Sequence, residues 1–347
     1  MRSKNIKTLA LTGGMILMSG LLLITGCGQQ SSPKSSSTGQ NQSGPSMVLK
    51  FGELNPKGHP IVQGMQKFAD LVKEKTNGRI TVQLYPGGTL GNENTEMQSL
   101  QMGALDLYRA NSMTLADFGV KQMAVFSLPY IFSSNEQMWK VLDGSIGQQL
   151  LQDVNHANLK MRALAYYGIG SRDLFSSKKP IRTVGDLKGL KVRVPQDEVM
   201  MAMVKDLGAS PTPTDYNELY SALQSGVVDA AENDPASYMS MSFYEVGKYL
   251  TLDQHTDAPG VVLMSQKTWN KLSASDRKII QESALESSQY ERNVDHKAEQ
   301  AALTAAQAKG VTVIPVPDKT PWQKAMAPLY VKYAQYQTLI DQIRNTK

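Results

Sequence analysis

One cysteine, Cys27, occurs in 347 residues, so no internal disulfide, iron–sulfur cluster or cysteine-based zinc site can form. Histidine is nearly as scarce. His59, His156, His255 and His296 are scattered, with no His-Glu-x-x-His and no spacing that would hold a metal. There is no Gly-x-Ser-x-Gly nucleophile elbow. Pro86-Gly87-Gly88-Thr89-Leu90-Gly91 is glycine-rich but lacks the Lys-Ser/Thr of a phosphate loop, and reads as a turn that ends a strand. Paired carboxylates need no local signature, so an enzyme is not excluded, but no motif points to one. Runs of Lys and Arg are also missing. Arg2, Lys4 and Lys7 lie in the first 26 residues, which carry no acids, and they account for three of the five formal positive charges. The remaining +2 offers no basic stripe for a nucleic acid. What is present is 41% hydrophobic and 19% charged residues, enough for two domains of ordinary size.

The first 26 residues have the layout of a secretory signal. A short basic stretch precedes Thr8–Gly26, which is uncharged and carries apolar runs at Met15–Met18 and Leu21–Ile24. The stretch is close to the roughly 20 residues that span a bilayer, so an uncleaved anchor helix is the alternative. Ile24-Thr25-Gly26-Cys27 resembles a bacterial lipobox, in which the cysteine becomes the lipidated first residue of the mature protein. Acyl chains on Cys27 would hold a domain at a membrane through about 0.8 kcal/mol per buried CH₂. Residues 27–46 are mostly Ser, Gln, Gly, Asn and Pro without apolar periodicity, the composition of a flexible tether. The expectation is a signal peptide over 1–26, a lipidated cysteine with its tether over 27–46, and a body on the outer face of the cell membrane or in the periplasm.

From Met47 the pattern alternates between strand and helix. Met47–Phe51 reads as a strand. Ile61, Met65, Phe68 and Val72 fall on one face of a helix over 60–75, with Asn77-Gly78 as its stop. Ile80, Val82 and Leu84 alternate as a second strand. A helix over 92–102, a strand over 105–108 and strands over 160–167, 190–194 and 227–231 complete an α/β pattern with mainly parallel strands. In such sheets ligands sit outside the carboxyl ends of strands. Ser273 and Asp276 resemble a capping box opening a helix that runs to about Lys309 without proline. It is either one rod long enough to cross between lobes or two helices broken near Ser287-Ser288.

Several ordered segments resemble one family. They are Gly189-Leu-Lys-Val-Arg193-Val-Pro195, Gly208-Ala-Ser-Pro-Thr-Pro213, Glu218-Leu-Tyr-Ser-Ala-Leu-Gln224, Val228-Asp-Ala-Ala-Glu-Asn233 and Phe243-Tyr-Glu-Val246. Leu84-Tyr85-Pro86, Leu90-Gly91 and Ser127-Leu-Pro-Tyr130 extend the match, which covers essentially all of 47–335. The family is the DctP-type solute-binding receptors of TRAP (tripartite ATP-independent periplasmic) transporters.

The resemblance implies a two-lobed α/β periplasmic-binding-protein fold (type II-like) with a long lobe-bridging helix. Lobe I would be 47–169 plus 258–297, and lobe II 170–257 plus 298–347. It implies capture of an organic acid between the lobes and delivery to a membrane permease by a monomer, with no cofactor and no metal. Arg193 matches the family's carboxylate-binding arginine; on residues alone it could be a surface arginine paired with Asp197. Arg172 matches a second ligand arginine, and Asn233 an asparagine at the acid's polar end, or else a turn residue before Asp234-Pro235. Tyr216 matches a ligand-facing aromatic and Glu93 a ligand-facing acid, or else a core tyrosine and a helix N-terminal Glu favoured by the dipole. Arg109 and Asn111 would face the cleft from a strand end, and His59 would touch ligand or simply cap a helix in solvent. Asn55-Pro-Lys-Gly-His59-Pro60, Leu107-Tyr-Arg109 and Glu232-Asn-Asp-Pro-Ala-Ser-Tyr238 look closest to receptors for hexuronates such as glucuronate and galacturonate. A C4-dicarboxylate receptor is the alternative, Arg109 supplying a second clamp. A ligand-presenting sensor subunit and a surface carbohydrate-processing enzyme are further rivals.

Overall fold

The computed structural model describes residues 46–257 and 259–347. The expected signal, Cys27 and all of the tether but Ser46 lie outside them. No helix among the described residues is long and apolar enough to cross a membrane.

Among the described residues, eleven strands form two sheets. In chain order they are β1 (Met47–Gly52), β2 (Ile80–Tyr85), β3 (Leu107–Asn111), β4 (Met161–Tyr167), β5 (Arg172–Ser176) and β6 (Lys191–Val194). Then come β7 (Ser210–Pro213), β8 (Ala230–Asn233), β9 (Tyr249–Thr256), β10 (Gly260–Ser265) and β11 (Thr312–Pro315). The first sheet has the order β2-β1-β3-β10-β4 and the second β11-β9-β5-β8-β6-β7. The chain passes from first to second sheet between Tyr167 and Arg172, and returns between Thr256 and Gly260. The sheets are mixed rather than mainly parallel. Strands β1, β2 and β3 run parallel, as do β6, β7 and β8, whereas β10 is antiparallel to both β3 and β4 and β5 to both β8 and β9. The reversed strands β5 and β10 are those the chain enters by crossing from the other sheet.

The helix Pro60–Lys75 buries Ile61, Met65, Phe68 and Val72 on β1, β2 and β10, and ends where Asn77 and Gly78 take left-handed φ of 52° and 78°. Its packing partner is the long helix Ala274–Ala308, one unbroken run of 35 residues, about 52 Å at 1.5 Å per residue. Ser273 Oγ caps it by accepting from Asp276 N at 3.1 Å. The helix does not break at Ser287-Ser288 because both hydroxyls find partners without disturbing the ladder: Ser288 Oγ donates to Tyr166 O (2.5 Å), and Tyr167 Oη donates to Ser287 Oγ (2.8 Å). The rod is thereby fastened to the end of β4, where the chain begins its crossing. Further along it packs against the short helix Pro235–Ser240, and Ala302 and Ala306 are buried. The last helix, Gln337–Asn345, returns toward the first sheet's helices, Gln137 Nε2 donating to the carbonyls of Ile343, Arg344 and Thr346.

Candidate functional site

The strand ends converge. β1 runs out at Glu53–Asn55, β3 at Asn111, β6 at Pro195–Asp197, β7 at Thr214–Asn217 and β8 at Asn233, and all of these residues line one cleft. It encloses about 1010 Å³ of empty space, open mouth included. This is the carboxyl edge of both parallel sets, where the ends of several strands can present polar groups to one ligand.

Seven of the eight residues singled out from sequence line it: Arg193, Arg172, Asn233, Tyr216, Glu93, Arg109 and Asn111. Arg193, on β6, is 2% exposed and does not pair with Asp197. Asp197 instead caps the helix Glu198–Asp206, its Oδ1 accepting from Met200 N at 2.7 Å. The Arg193 guanidinium turns one edge, Nε and Nη2, toward the carbonyl of Thr214 at 2.8 and 2.6 Å. Burial lowers its pKa to about 10, which leaves it charged at neutral pH. Arg172, at the start of β5, donates from Nε (2.5 Å) and Nη2 (2.8 Å) to the two carboxylate oxygens of Glu232 on β8. Among the described residues, Nη1 of neither guanidinium has a protein partner. Each arginine is thus held along its Nε and Nη2 side; Arg172 Nη2 donates a second time, to Glu232 O at 3.2 Å, so Nη1 is the donor it leaves for a ligand, and one donor from each guanidinium can converge on a carboxylate.

Behind Arg172 lies a chain of charge that sequence reading does not reveal. Glu232 also meets His255 Nε2 at 3.4 Å, and His255 Nδ1 meets Asp253 Oδ2 at 2.9 Å, all of them at most 1% exposed. Burial would neutralise these groups, but Arg172 and His255 overcome it and hold Glu232 down at about 2. Burial likewise disfavours an imidazolium, yet Asp253 and Glu232 raise His255 to about 10. The four groups sit on β8, β5 and β9, adjacent strands brought together only by sheet order.

The remaining candidates divide. Asn233 does both things expected of it: it lines the cleft, and its Oδ1 accepts from Asp234 N, the cap of the helix Pro235–Ser240. Tyr216 is partly core and partly cleft: its ring packs edge-on against the buried Phe243 at 6.0 Å, while its Oη, at the cleft, donates to Asn55 Oδ1 (3.0 Å) and accepts from Asn233 Nδ2 (3.4 Å). Glu93 opens the helix Glu93–Met102 and accepts from the backbone N (3.1 Å) and Nδ2 (3.2 Å) of Asn111. Arg109 donates from Nη1 to Asn111 Oδ1 (2.9 Å), while its buried Nε and Nη2 have no protein partner. A Cβ at Gly260 would lie 2.0 Å from Arg109 Nε, so glycine there makes room for the arginine.

His59 does not line the cleft and is not a solvated cap. It is 1% exposed, its Nδ1 accepting from Ile61 N (3.2 Å), so the proton sits on Nε2 and is donated to Ser237 Oγ (3.1 Å). Burial lowers its pKa to about 4 and keeps it neutral. Ser237 does line the cleft, so His59 stands one residue behind it. Asn55, Asn92, Thr214 and Asp215 are lining residues without any local signature in sequence; the position after a strand's carboxyl end is the one signal that could have found them. Among the described residues no group of His, Cys, Asp or Glu could hold a metal ion.

A family model described as bacterial extracellular solute-binding protein, family 7 (DctP), matches residues 51–336. Among solved structures, the chain is similar to a TRAP periplasmic solute-binding protein of Pseudomonas putida F1 with bound D-glucuronate. That likeness has 34% identity, TM-score 0.83, and covers 85% of this chain and 96% of that one. A receptor of Bradyrhizobium sp. BTAi1 in complex with D-galacturonate is 35% identical at TM-score 0.83, covering 86% and 100%. One of Polaromonas sp. JS666 bound to D-erythronate is 33% identical at TM-score 0.84, covering 87% and 99%. A match of this extent, on two mixed sheets with a common cleft and a bridging helix, places the chain in the DctP family of TRAP solute-binding proteins.

Proposed function

We propose that this protein is an extracytoplasmic receptor, lipid-anchored through Cys27, that captures a hexuronate such as glucuronate or galacturonate and delivers it to a TRAP membrane permease. The cleft closes between lobe I (47–169 plus 258–297) and lobe II (170–257 plus 298–347), and no bond in the ligand is made or broken. The observation that carries this reading is the pair of buried arginines at one end of the cleft. Arg193 and Arg172 each leave Nη1 without a protein partner among the described residues, while the facing wall presents Glu53, Glu93, Asn55 and Asn111 around Arg109. A ligand with one carboxylate and several hydroxyls satisfies both walls: the arginines take the acid, and Glu93 with its neighbours accepts from the hydroxyls. A C4-dicarboxylate would set its second carboxylate against Glu53 and Glu93, with Arg109 alone to offset them. In this reading Asn233 and Tyr216 align the ligand, and His59 acts through Ser237.

Titration calorimetry of the purified protein against D-glucuronate, D-galacturonate, D-erythronate and succinate tests it. Binding of a hexuronate tighter than the other acids, with the ligand recovered unchanged, is expected. Preference for succinate overturns the sugar-acid reading while keeping the receptor; turnover of the sugar acid overturns the receptor itself.

A further inference from the structure

Four consecutive residues just past β7 touch both Arg193 and the opposite wall of the cleft. The carbonyl of Thr214 holds the Arg193 guanidinium at 2.8 and 2.6 Å. Asp215 Oδ2 accepts from Asn92 Nδ2 of the opposite wall at 2.8 Å. Tyr216 Oη reaches the same wall at Asn55 Oδ1, 3.0 Å away. Asn217 lies against Gly88, where an added Cβ would come within 2.3 Å of its Nδ2. Gly88 has φ of 64° in the turn after β2, so backbone and neighbour both call for glycine. Asn92 and Asp215 are half-buried, and their bond joins elements of the two different sheets.

We propose that Thr214–Asn217 is a latch: it ties the carboxylate-binding Arg193 to three contacts across the cleft, so that Asp215 and Asn92 set how long the closed form lasts rather than which acid is bound. The inference rests on the receptor reading above. A ligand that draws on Arg193 steadies Thr214, and Thr214 is one residue from the cross-cleft bond. Asp215 and Asn92 are therefore positioning residues. They contribute to closure equally for every acid that Arg193 can hold.

The test uses the purified protein with D-glucuronate, D-galacturonate and D-erythronate, reading affinity by calorimetry and dissociation by stopped flow. Asp215→Ala should weaken all three by one common factor, about tenfold for a lost charge-assisted hydrogen bond, through faster dissociation. Asp215→Asn keeps an acceptor and should stay near wild type. Asn92→Asp preserves the helix cap, since aspartate caps as well as asparagine, but sets two carboxylates face to face and should weaken all three again. Combining Asn92→Asp with Asp215→Asn restores a donor and an acceptor in reversed order and should recover affinity. A loss that differs several-fold between ligands would make Asp215 a ligand contact and overturn the latch. No loss in Asp215→Ala or in Asn92→Asp, or no recovery in the double, overturns it as well. A wild-type protein that binds none of the three acids overturns the receptor reading, and the latch falls with it.

Discussion

Behind the cleft in the second sheet, the fully buried Glu232 lies between Arg172 and His255, with Asp253 behind His255, although the pKa of Asp173 beside them is raised well above its ordinary value by burial and by Asp253. Behind the first-sheet wall, Glu96 is fully buried and, among the described residues, neither of its carboxylate oxygens has a hydrogen-bond partner, while Glu53 on the wall leaves one oxygen unsatisfied. Gly52 makes the space, since a Cβ there would lie 1.9 Å from Glu96 Oε2. Burial, with Glu53 and Glu93 adding repulsion, pushes Glu96 up to about 8. Glu232 keeps its charge because cations offset it in place, whereas Glu96 is held largely as the neutral form. A carboxylate ligand is met by guanidinium ends already oriented, which lowers the reorganisation required on binding, and the opposing wall offers acceptors.

This contrast can be broken in three places, with the largest effect first. Glu232→Ala strands Arg172 and His255 without their shared anion, and the loss of unfolding free energy should be about 3–5 kcal/mol, as when a buried pair loses one member. The pH profile fixes the cause. Glu232 is held below its ordinary value, so its contribution is present above about 4.5 and is lost as pH falls toward 2. His255 is raised, so its contribution is present below 6.5 and is lost as pH rises toward 10. Denaturant titration should show both limbs in the wild type; the variant should lose the acid limb and keep a weakened alkaline one, because Asp253 still holds His255, and a variant as stable as wild type would mean that the chain of charge is idle.

Arg193→Ala comes next. Removing one member of a buried charge pair costs about 2–5 kcal/mol of binding, so calorimetry should record a loss of hexuronate affinity of roughly thirtyfold or more. Retained affinity would move the clamp to Arg172 alone.

Glu96→Gln should act with the opposite sign and the smallest size. Its carboxyl is raised above 4.5, so the wild type loses stability as pH rises from 4.5 toward 8, and the amide variant does not. The melting temperature of the variant should exceed that of the wild type by a margin that widens from pH 5 to pH 8. A constant or negative margin would show that the first-sheet wall, too, pairs its acids.

Much of the site was legible because it depends on residue type at a strand end. Arg193 was found from its own segment, where a surface arginine paired with Asp197 was the alternative; β6 is covered on both faces, so there was no solvated side to occupy. The strand bounds shifted for a related reason. The third strand runs 107–111 rather than 105–108, because β10 pairs with it as far as Asn111, a partner supplied from far along the chain. Glu232, His255 and Asp253 were beyond reach, since no local pattern says that β8, β5 and β9 lie side by side. His59 was misjudged as solvated because a cap has the same sequence whether or not another element covers it. The long helix was the clearest element in sequence, and what the sequence left open, a break at its serines, was decided by hydroxyls bonding to β4.

Strand β10 lies between β3 and β4, yet follows them by a long stretch of chain that builds most of the second sheet. Until residue 265 is made, β3 and β4 stand on either side of an empty lane about 10 Å wide, twice the spacing of paired strands. The first sheet is therefore completed late, by pairing of high contact order that slows folding. Folding of β1–β4 as one sheet is thus tied to a strand that follows most of the second sheet in the chain.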